Sequence, residues 1–306
     1  MLALRTKGHK IRTITPYRPG SRRTSCLLSA SQPGRPVARH KGDLRAGKMD
    51  CHPKWIFSIH TFTAPEEGWL VTSHIIELPS QLVAVDAQYT LAFAREVTRY
   101  AFELKKPVTR LYVTHYHPDH LLGAAVFEAP LFALASVAAK IGAAGDRVAR
   151  EEHEKVGDDI PTKARQPDRC VDEGDEIIDG ARIEHRRLRS AETDDALIVA
   201  LPEAGAIIVQ DLVYNRAHPF LGERHFQSWR TALKQYRDLP YDTVLPGHGA
   251  PGSKALYDEM IDYLDFAEDA LNESATAAEF KRRILERYPD HGCGKVLDHQ
   301  LRFLFR

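Results

Sequence analysis

Three histidines and an aspartate fall within six residues, His115-Tyr116-His117-Pro118-Asp119-His120, directly after the short apolar run Arg110-Leu111-Tyr112-Val113-Thr114. Histidine fills 15 of 306 positions, so chance rarely produces such a cluster. The preceding run reads as a short buried strand, which places the cluster in a loop opening from a strand end. Neutral imidazole and carboxylate are good ligands for zinc and other borderline divalent ions. In a loop, alternate residues can turn to one centre while the next pair reaches a second close by. The spacing therefore allows the cluster to serve two neighbouring centres.

The surrounding chain alternates strand and helix signals from about residue 55. Residues 69–78 and 82–86 read as neighbouring strands joined by the turn Pro79-Ser80-Gln81. Residues 89–105 read as a helix, with Phe93, Val97, Tyr100, Ala101 and Leu104 on one stripe. A strand at 131–134 and a helix over 136–156 follow, then paired strands over 168–189 with turns near Gly174 and Gly180. Residues 196–201 and 206–210 flank Pro202-Glu203-Ala204-Gly205, a strong hairpin signal. A helix at 225–237 places Phe226, Trp229, Leu233 and Tyr236 on one face, and a strand at 243–245 runs into Pro246-Gly247-His248-Gly249. Residues 253–306 read mostly as helices. Strands in two stretches, each followed by helices, suit two packed sheets with helices outside, a layered α/β architecture in one domain.

The formal charge of zero hides an asymmetry. Residues 1–48 hold 12 Lys or Arg and one acid, Asp43, leaving 30 basic and 41 acidic residues, a net of −11, on 49–306. An acidic body argues against nucleic acid as the main partner. The first 48 residues are rich in Arg, Ser, Gly and Pro and show no sustained period, so they are expected to be disordered. Three readings of this segment stand side by side: an organellar targeting peptide, a nonspecific basic tail, or sequence upstream of a true start at Met49. The domain proper is expected to be 49–306. No apolar run reaches the roughly 18 residues that span a bilayer. Cys26, Cys51, Cys170 and Cys293 form no C-x-x-C pair and read as free thiols in a reducing compartment, cytoplasmic unless the basic segment targets an organelle.

The H-x-H-x-D-H run after a short apolar strand resembles the signature of the metallo-β-lactamase fold hydrolases, and the resemblance extends over most of residues 55–265. It implies an αββα sandwich followed here by a helical C-terminal segment. It also implies further ligands: Asp211, closing Ile207-Ile208-Val209-Gln210-Asp211, and His248, in Leu245-Pro246-Gly247-His248-Gly249. One position departs. The family's middle histidine should lie about 19 residues before the aspartate, where Glu192 stands in Ser190-Ala191-Glu192-Thr193-Asp194. A carboxylate can hold zinc at about 2.0–2.2 Å. The resemblance then gives one ion His115, His117 and Glu192, and the other Asp119, His120 and His248, with Asp211 bridging. Two zinc ions are the expected cofactor, with manganese or iron as alternatives because Glu192 adds negative charge. Glu192 could instead point away or act as a base.

The mechanism implied is attack by a metal-bound hydroxide on a carbonyl or phosphoryl centre, with Asp119 orienting or accepting the water proton. Tyr214 stands at the offset where lactone-hydrolysing relatives carry a tyrosine. It is the candidate to stabilise the oxyanion, with packing in its loop as the other reading. Asp86 matches a strand-end aspartate that supports the metal loop. His218 is nearby, and a surface role outweighs a substrate-facing one; His74, His153, His185 and His225 read as structural. The loop 214–225, with Phe220 and Phe226, and the helix at 136–160 are expected to frame the entrance.

The function implied is hydrolysis of an ester, lactone, thioester or amide of a small molecule. Alternatives on the same fold are a mononuclear-iron oxidoreductase, against which Glu192 speaks, and a non-catalytic binding protein with a degraded site. Nucleic-acid processing is disfavoured by the acidic body, and β-lactam resistance by the lack of a secretory signal. Neither nucleic acid nor membrane is expected as a partner; a homodimer is compatible with the resemblance.

Overall fold

A run in which every residue is apolar, rather than every second one, marks a strand covered on both faces. The second half of this chain holds such runs, and they form the middle of its layered core. The computed structural model describes residues 3–6, 9–14 and 57–305.

One sheet has eight strands in sequence order: β1 (Ala3–Thr6), β2 (His9–Ile14), β3 (Ser58–Thr63), β4 (Thr72–Glu77), β5 (Leu82–Val85), β6 (Val108–Tyr112), β7 (Leu131–Leu134) and β8 (Arg169–Val171). Helix α1 (Leu91–Glu103) connects β5 to β6. A single helical turn, α2 (Pro118–Leu121), leaves β6, and α3 (Ala135–Val156) separates β7 from β8. The second sheet has the order β14-β13-β12-β11-β10-β9. Its strands are β9 (Gly174–Ile178), β10 (Ala181–Arg189), β11 (Asp195–Leu201), β12 (Ala206–Tyr214), β13 (Thr243–His248) and β14 (Gly252–Ser253). Helix α4 (Phe226–Arg237) connects β12 to β13, a parallel pair. Helices α5 (Ala255–Glu273), α6 (Ala277–Arg287) and α7 (Gly294–Leu304) close the chain.

Side-chain alternation along β11 divides the core. Leu197, Val199 and Leu201 point into the layer between the sheets, which also holds Val83, Val85 and Tyr112, the last with its ring against His185 of β10. Ala196, Ile198 and Ala200 face the opposite way, towards Trp229 and Leu233 of α4 and Tyr257 and Leu264 of α5. Both faces of the strand are therefore buried, as its continuous apolar sequence requires. Helix α1 starts on Thr90, whose side chain accepts from the Phe93 N–H. It buries Ala94, Val97 and Ala101, while Phe93 and Leu104 pack beside them.

These layers give the α/β sandwich and the helical C-terminal segment expected from the sequence. Three details differ. Residues 1–48 are not uniformly without regular structure: Ala3–Thr6 and His9–Ile14 are strands, and β2 pairs in parallel with β3. Backbone hydrogen bonding to an open sheet edge supplies there the order that composition does not; the rest of that segment lies outside the described residues. The strands over 168–189 do not form one unit, because β8 joins β7 in the first sheet while β9 and β10 pair in the second. Strand β3 carries no clear alternation, and the sequence pattern does not mark it.

The two sheets meet at one end. The Leu197 N–H of β11 donates to Thr114 O just beyond β6, at 2.8 Å. The Thr72 hydroxyl of β4 donates to Pro246 O of β13, at 2.7 Å. Behind this junction His74 is fully buried, its ring between the Thr61 and Thr72 hydroxyls. Burial, aided by the nearby His120 ring, lowers its pKa to about 3. Between about pH 6.5 and pH 3 the unfolded chain therefore binds a proton at His74 that the folded chain refuses. Folding stability should fall through that window by about 1.4 kcal/mol per pH unit on this account. Denaturant titrations across the window should show a shallower fall for His74→Gln than for the parent.

Candidate metal centre

The end where the sheets meet collects loops from both. Strand β6 delivers Thr114 and His115, and the turn of α2 begins directly after His117. Pro118 suits the first position of that turn, where its missing N–H is not needed. The turn swings Asp119 and His120 back over the strand end. From the second sheet come Glu192 on the β10–β11 loop, Asp211 on β12 and His248 at the end of β13. The structure brings all seven residues together in two groups: His115, His117, Glu192 and Asp211, and Asp119, His120 and His248.

Asp211 reaches both groups. Its Oδ2 lies 3.7 Å from His115 Nε2 and 3.4 Å from His248 Nε2, and its Oδ1 lies 3.2 Å from His120 Nε2. In the first group Glu192 Oε1 stands 3.0 Å from His117 Nδ1, and Oε2 stands 4.0 Å from His115 Nε2. In the second, Asp119 Oδ2 is 3.3 Å from His248 Nε2 and 3.6 Å from His120 Nε2. Glu192 is 2 % exposed, yet neither of its oxygens has a hydrogen-bond partner, nor do His115 Nε2 and Asp211 Oδ1. Buried polar atoms without partners are costly. Donor pairs on one tetrahedral ion with bonds near 2.05 Å would lie about 3.3 Å apart, close to several of these separations. The donor set and its orphaned atoms thus fit divalent metal ions.

The outer nitrogens of the rings are fixed. Asp86 Oδ2 accepts from His120 Nδ1 at 2.8 Å and from the Thr114 hydroxyl at 2.9 Å, while Oδ1 accepts from the Thr114 N–H. With its proton on Asp86, the Thr114 hydroxyl is free to accept from His115 Nδ1, 3.0 Å away. The Trp69 carbonyl accepts from His248 Nδ1 at 2.7 Å. In all three rings Nε2 is the nitrogen left facing inward. Asp86 does this from a left-handed backbone, φ 60°, a conformation a non-glycine residue holds only when its surroundings enforce it. Gln210 is also left-handed, φ 51°, and the register of β12 against β13 shifts on either side of it, which turns Asp211 towards the centre.

Glycine is required on both sides of His248. A Cβ on Gly247 would sit 1.8 Å from Asp211 Oδ1, and Gly249 has φ +86°, where a Cβ would run into Asn215 O. The P-G-H-G run is therefore as much about the passage of β13 beside Asp211 as about the ligand itself.

The charges gathered here act strongly on one another. Burial pushes His120 and His248 towards neutrality, but Asp211 and Asp119 outweigh it and place both rings well above the usual histidine range. Burial likewise works to raise Asp119 and Asp211, but these two imidazoles hold both carboxylates well below the usual range. Glu192 goes the other way: burial, only partly offset by His117, pushes it up to about 7.

Tyr214 donates its hydroxyl to Asp211 Oδ2 at 2.7 Å and stacks on the His248 ring, centroids 4.6 Å apart. The cleft over the centre is lined by Trp69, Glu152, Tyr214, Phe220, Val296 and His299, besides ligand-set residues. Phe220 and α3 thus frame it as expected. Phe226 does not: it is buried against the second core, because its helical face is the one α4 turns to β12. His218 is neither on the surface nor at the cleft; it is fully buried, with Nδ1 2.9 Å from the Tyr263 hydroxyl. Sequence reasoning did not find Trp69, Glu152, Val296 or His299, which no local motif marks. It also gave His225 no specific role, whereas His225 Nδ1 bonds Ala191 O at 3.1 Å and so braces the loop carrying Glu192.

Comparisons place this fold. Residues 68–248 match the family described as the metallo-beta-lactamase superfamily. A metallo-beta-lactamase from Pontibacter korlensis superposes with a TM-score of 0.52 at 21 % identity, covering 68 % of this chain and 94 % of that one. The metallo-beta-lactamase FIM-1 from Pseudomonas aeruginosa, in its mono-zinc form, gives 0.52 at 18 % identity, covering 68 % and 90 %. The inverting sec-alkylsulfatase Pisa1 from Pseudomonas sp. gives 0.50 at 18 % identity, covering 69 % of this chain and 42 % of that one. At these identities the likeness is one of fold.

Two substitutions test the scaffold of the centre. Gly247→Ala should displace Asp211 and reduce bound metal, counted by mass spectrometry, while circular dichroism stays that of the parent. Asp86→Asn should weaken metal affinity by about 10–100-fold in a chelator competition, because His120 loses its charged acceptor.

Proposed function

Because this chain belongs to the metallo-beta-lactamase superfamily, a superfamily of metal-dependent hydrolases, we propose that it hydrolyses an ester, lactone, thioester or amide of a small molecule at a two-ion centre. The observation that carries the reading is the convergence of seven donor residues from both sheets, all buried but the partly exposed His117, with Asp211 facing both groups. In this reading His115, His117 and Glu192 hold one ion, and Asp119, His120 and His248 the other. The ions are divalent, zinc or, where Glu192 weighs in, manganese or iron. Bound there, they supply Lewis acidity and lower the pKa of water.

The chain's own residues do the rest. Asp119, at the floor of the cleft with Oδ2 3.3 Å from His248 Nε2, orients the attacking water as a hydrogen-bond acceptor through its carboxylate. The Tyr214 phenol is pushed well above its usual range by burial and by Asp211, so it stays a proton donor. Its hydroxyl, now on Asp211 Oδ2, is the group placed to donate to a substrate oxygen as negative charge develops. Trp69, Phe220 and Val296 give the cleft apolar walls that exclude water from the reacting bond. Glu152, held by the Tyr89 hydroxyl at 2.6 Å, is the polar group of the outer wall that a substrate's hydrogen-bond donor would meet. The substrate is a small molecule in this reading, and no helix among the described residues is long and apolar enough to cross a membrane.

A panel of 4-nitrophenyl acetate, γ-butyrolactone, acetyl-thiocholine and a 4-nitroanilide should show turnover of at least one member, abolished by chelation and restored by metal. Tyr214→Phe should lower kcat by roughly 100-fold with KM little changed, as expected for a donor that acts mainly in the transition state. Metal-replete protein that turns over none of the four classes would overturn the reading.

A further inference from the structure

Glu192 is the one residue of the ligand set whose two donor atoms are both buried and both without hydrogen-bond partners. Each oxygen faces a different imidazole, Oε1 towards His117 and Oε2 towards His115. The two groups therefore differ. The second offers two imidazoles and Asp119, with Asp211 alongside: Asp211 Oδ1 faces His120 of the second group, and Oδ2 lies between His248 of the second and His115 of the first. The first offers two imidazoles, the shared Asp211 and a carboxylate with both oxygens free to bind.

Three physical consequences follow. A histidine at position 192 would give a neutral nitrogen; glutamate gives a charge and a hard oxygen donor. Hard oxygen donors favour manganese and iron over ions that prefer nitrogen and sulfur. A carboxylate engaging through both oxygens also gives the first group more donors than the four of a tetrahedral zinc site, which suits ions that accept six. Finally, Asp119, Glu192 and Asp211 are all buried, so the centre carries one carboxylate more than it would with histidine at 192. Two divalent cations offset that added charge better than one.

We propose that Glu192 makes the first group an oxygen-rich, high-coordination site that shifts its selectivity from zinc towards manganese(II) or iron(II). The loop holding it is braced from both sides. The Ala191 carbonyl is fixed by His225, and Thr193 donates its hydroxyl to Asp195 O at 3.0 Å. The inference rests on the two-ion reading above but not on any particular substrate.

The test uses the full chain, stripped by chelator and dialysed against equal concentrations of manganese(II) and zinc(II), with bound metals counted by mass spectrometry. Zinc is the stronger binder at most such sites, so the readout is the ratio between proteins rather than the absolute winner. The parent should retain a manganese-to-zinc ratio about tenfold or more above that of Glu192→His. Its manganese-loaded form should give the electron paramagnetic resonance spectrum of two interacting ions. Glu192→Gln keeps the side-chain shape, loses the charge and should also lower the ratio, which keeps the comparison valid if the histidine variant misfolds by circular dichroism. Equal ratios in parent and variants would overturn the proposal. So would a parent that takes up one ion where Glu192→His takes up two, since Glu192 would then have broken the first site. Uptake of no metal by any of the three proteins would overturn the two-ion reading beneath it as well.

Discussion

Four carboxylates, on Asp86, Asp119, Glu192 and Asp211, are buried within one end of this molecule, none more than 5 % exposed. Bringing that much negative charge out of water is strongly unfavourable unless cations or hydrogen-bond donors answer it. The local architecture follows from this constraint. Asp86 is satisfied by protein alone, through Thr114 and His120. The other three are left facing imidazole rings and one another. Their remaining demand is for positive charge at the centre of the group, and divalent ions meet it. Metal binding and the stability of this end of the sandwich are accordingly one property.

The same constraint explains the backbone irregularities clustered there. Left-handed Asp86 and Gln210, the register shifts in β12, and the glycines flanking His248 are each locally unfavourable or permissive choices. Each one aims a carboxylate or lets a strand pass close beside it. Elsewhere the described strands pair in regular register, apart from one shift between Leu82 and Val83. Irregularity thus marks the positions where chemistry overrides ordinary pairing.

Glu192 is where this protein departs most from the pattern its motifs suggest. Its loop is held by two contacts that have nothing to do with metal, from His225 and within Thr193–Asp195. The side chain enters the centre from the second sheet, on the loop between β10 and β11, and brings a carboxylate between the His115 and His117 rings. Tyr214 ties this side of the centre to the other: it donates to Asp211 and lies flat against His248.

The sequence by itself determined the elements and much of the site. Continuous apolar runs specified β11 and β12 as strands covered on both faces, the stripe of α1 specified which side it buries, and the spacing of His115 to His120 specified a loop that bends back on itself. Those signals are local, carried by periodicity and by residue type. Asp211, His248 and Glu192 were legible because short motifs surround them. The cleft walls were not: Trp69, Glu152, Val296 and His299 come from segments far apart in the chain, and no neighbour in sequence announces them. Phe226 was misplaced towards the entrance and His218 towards the surface for the same reason, since which face of a helix or loop turns inward depends on what packs against it. Only the tertiary structure decided that both oxygens of Glu192 face the imidazoles and that Asp211 stands between the groups. Those are distances between sheets, fixed by the packing of the layer between them and by hydrogen bonds across it, and sequence spacing along one strand does not encode them.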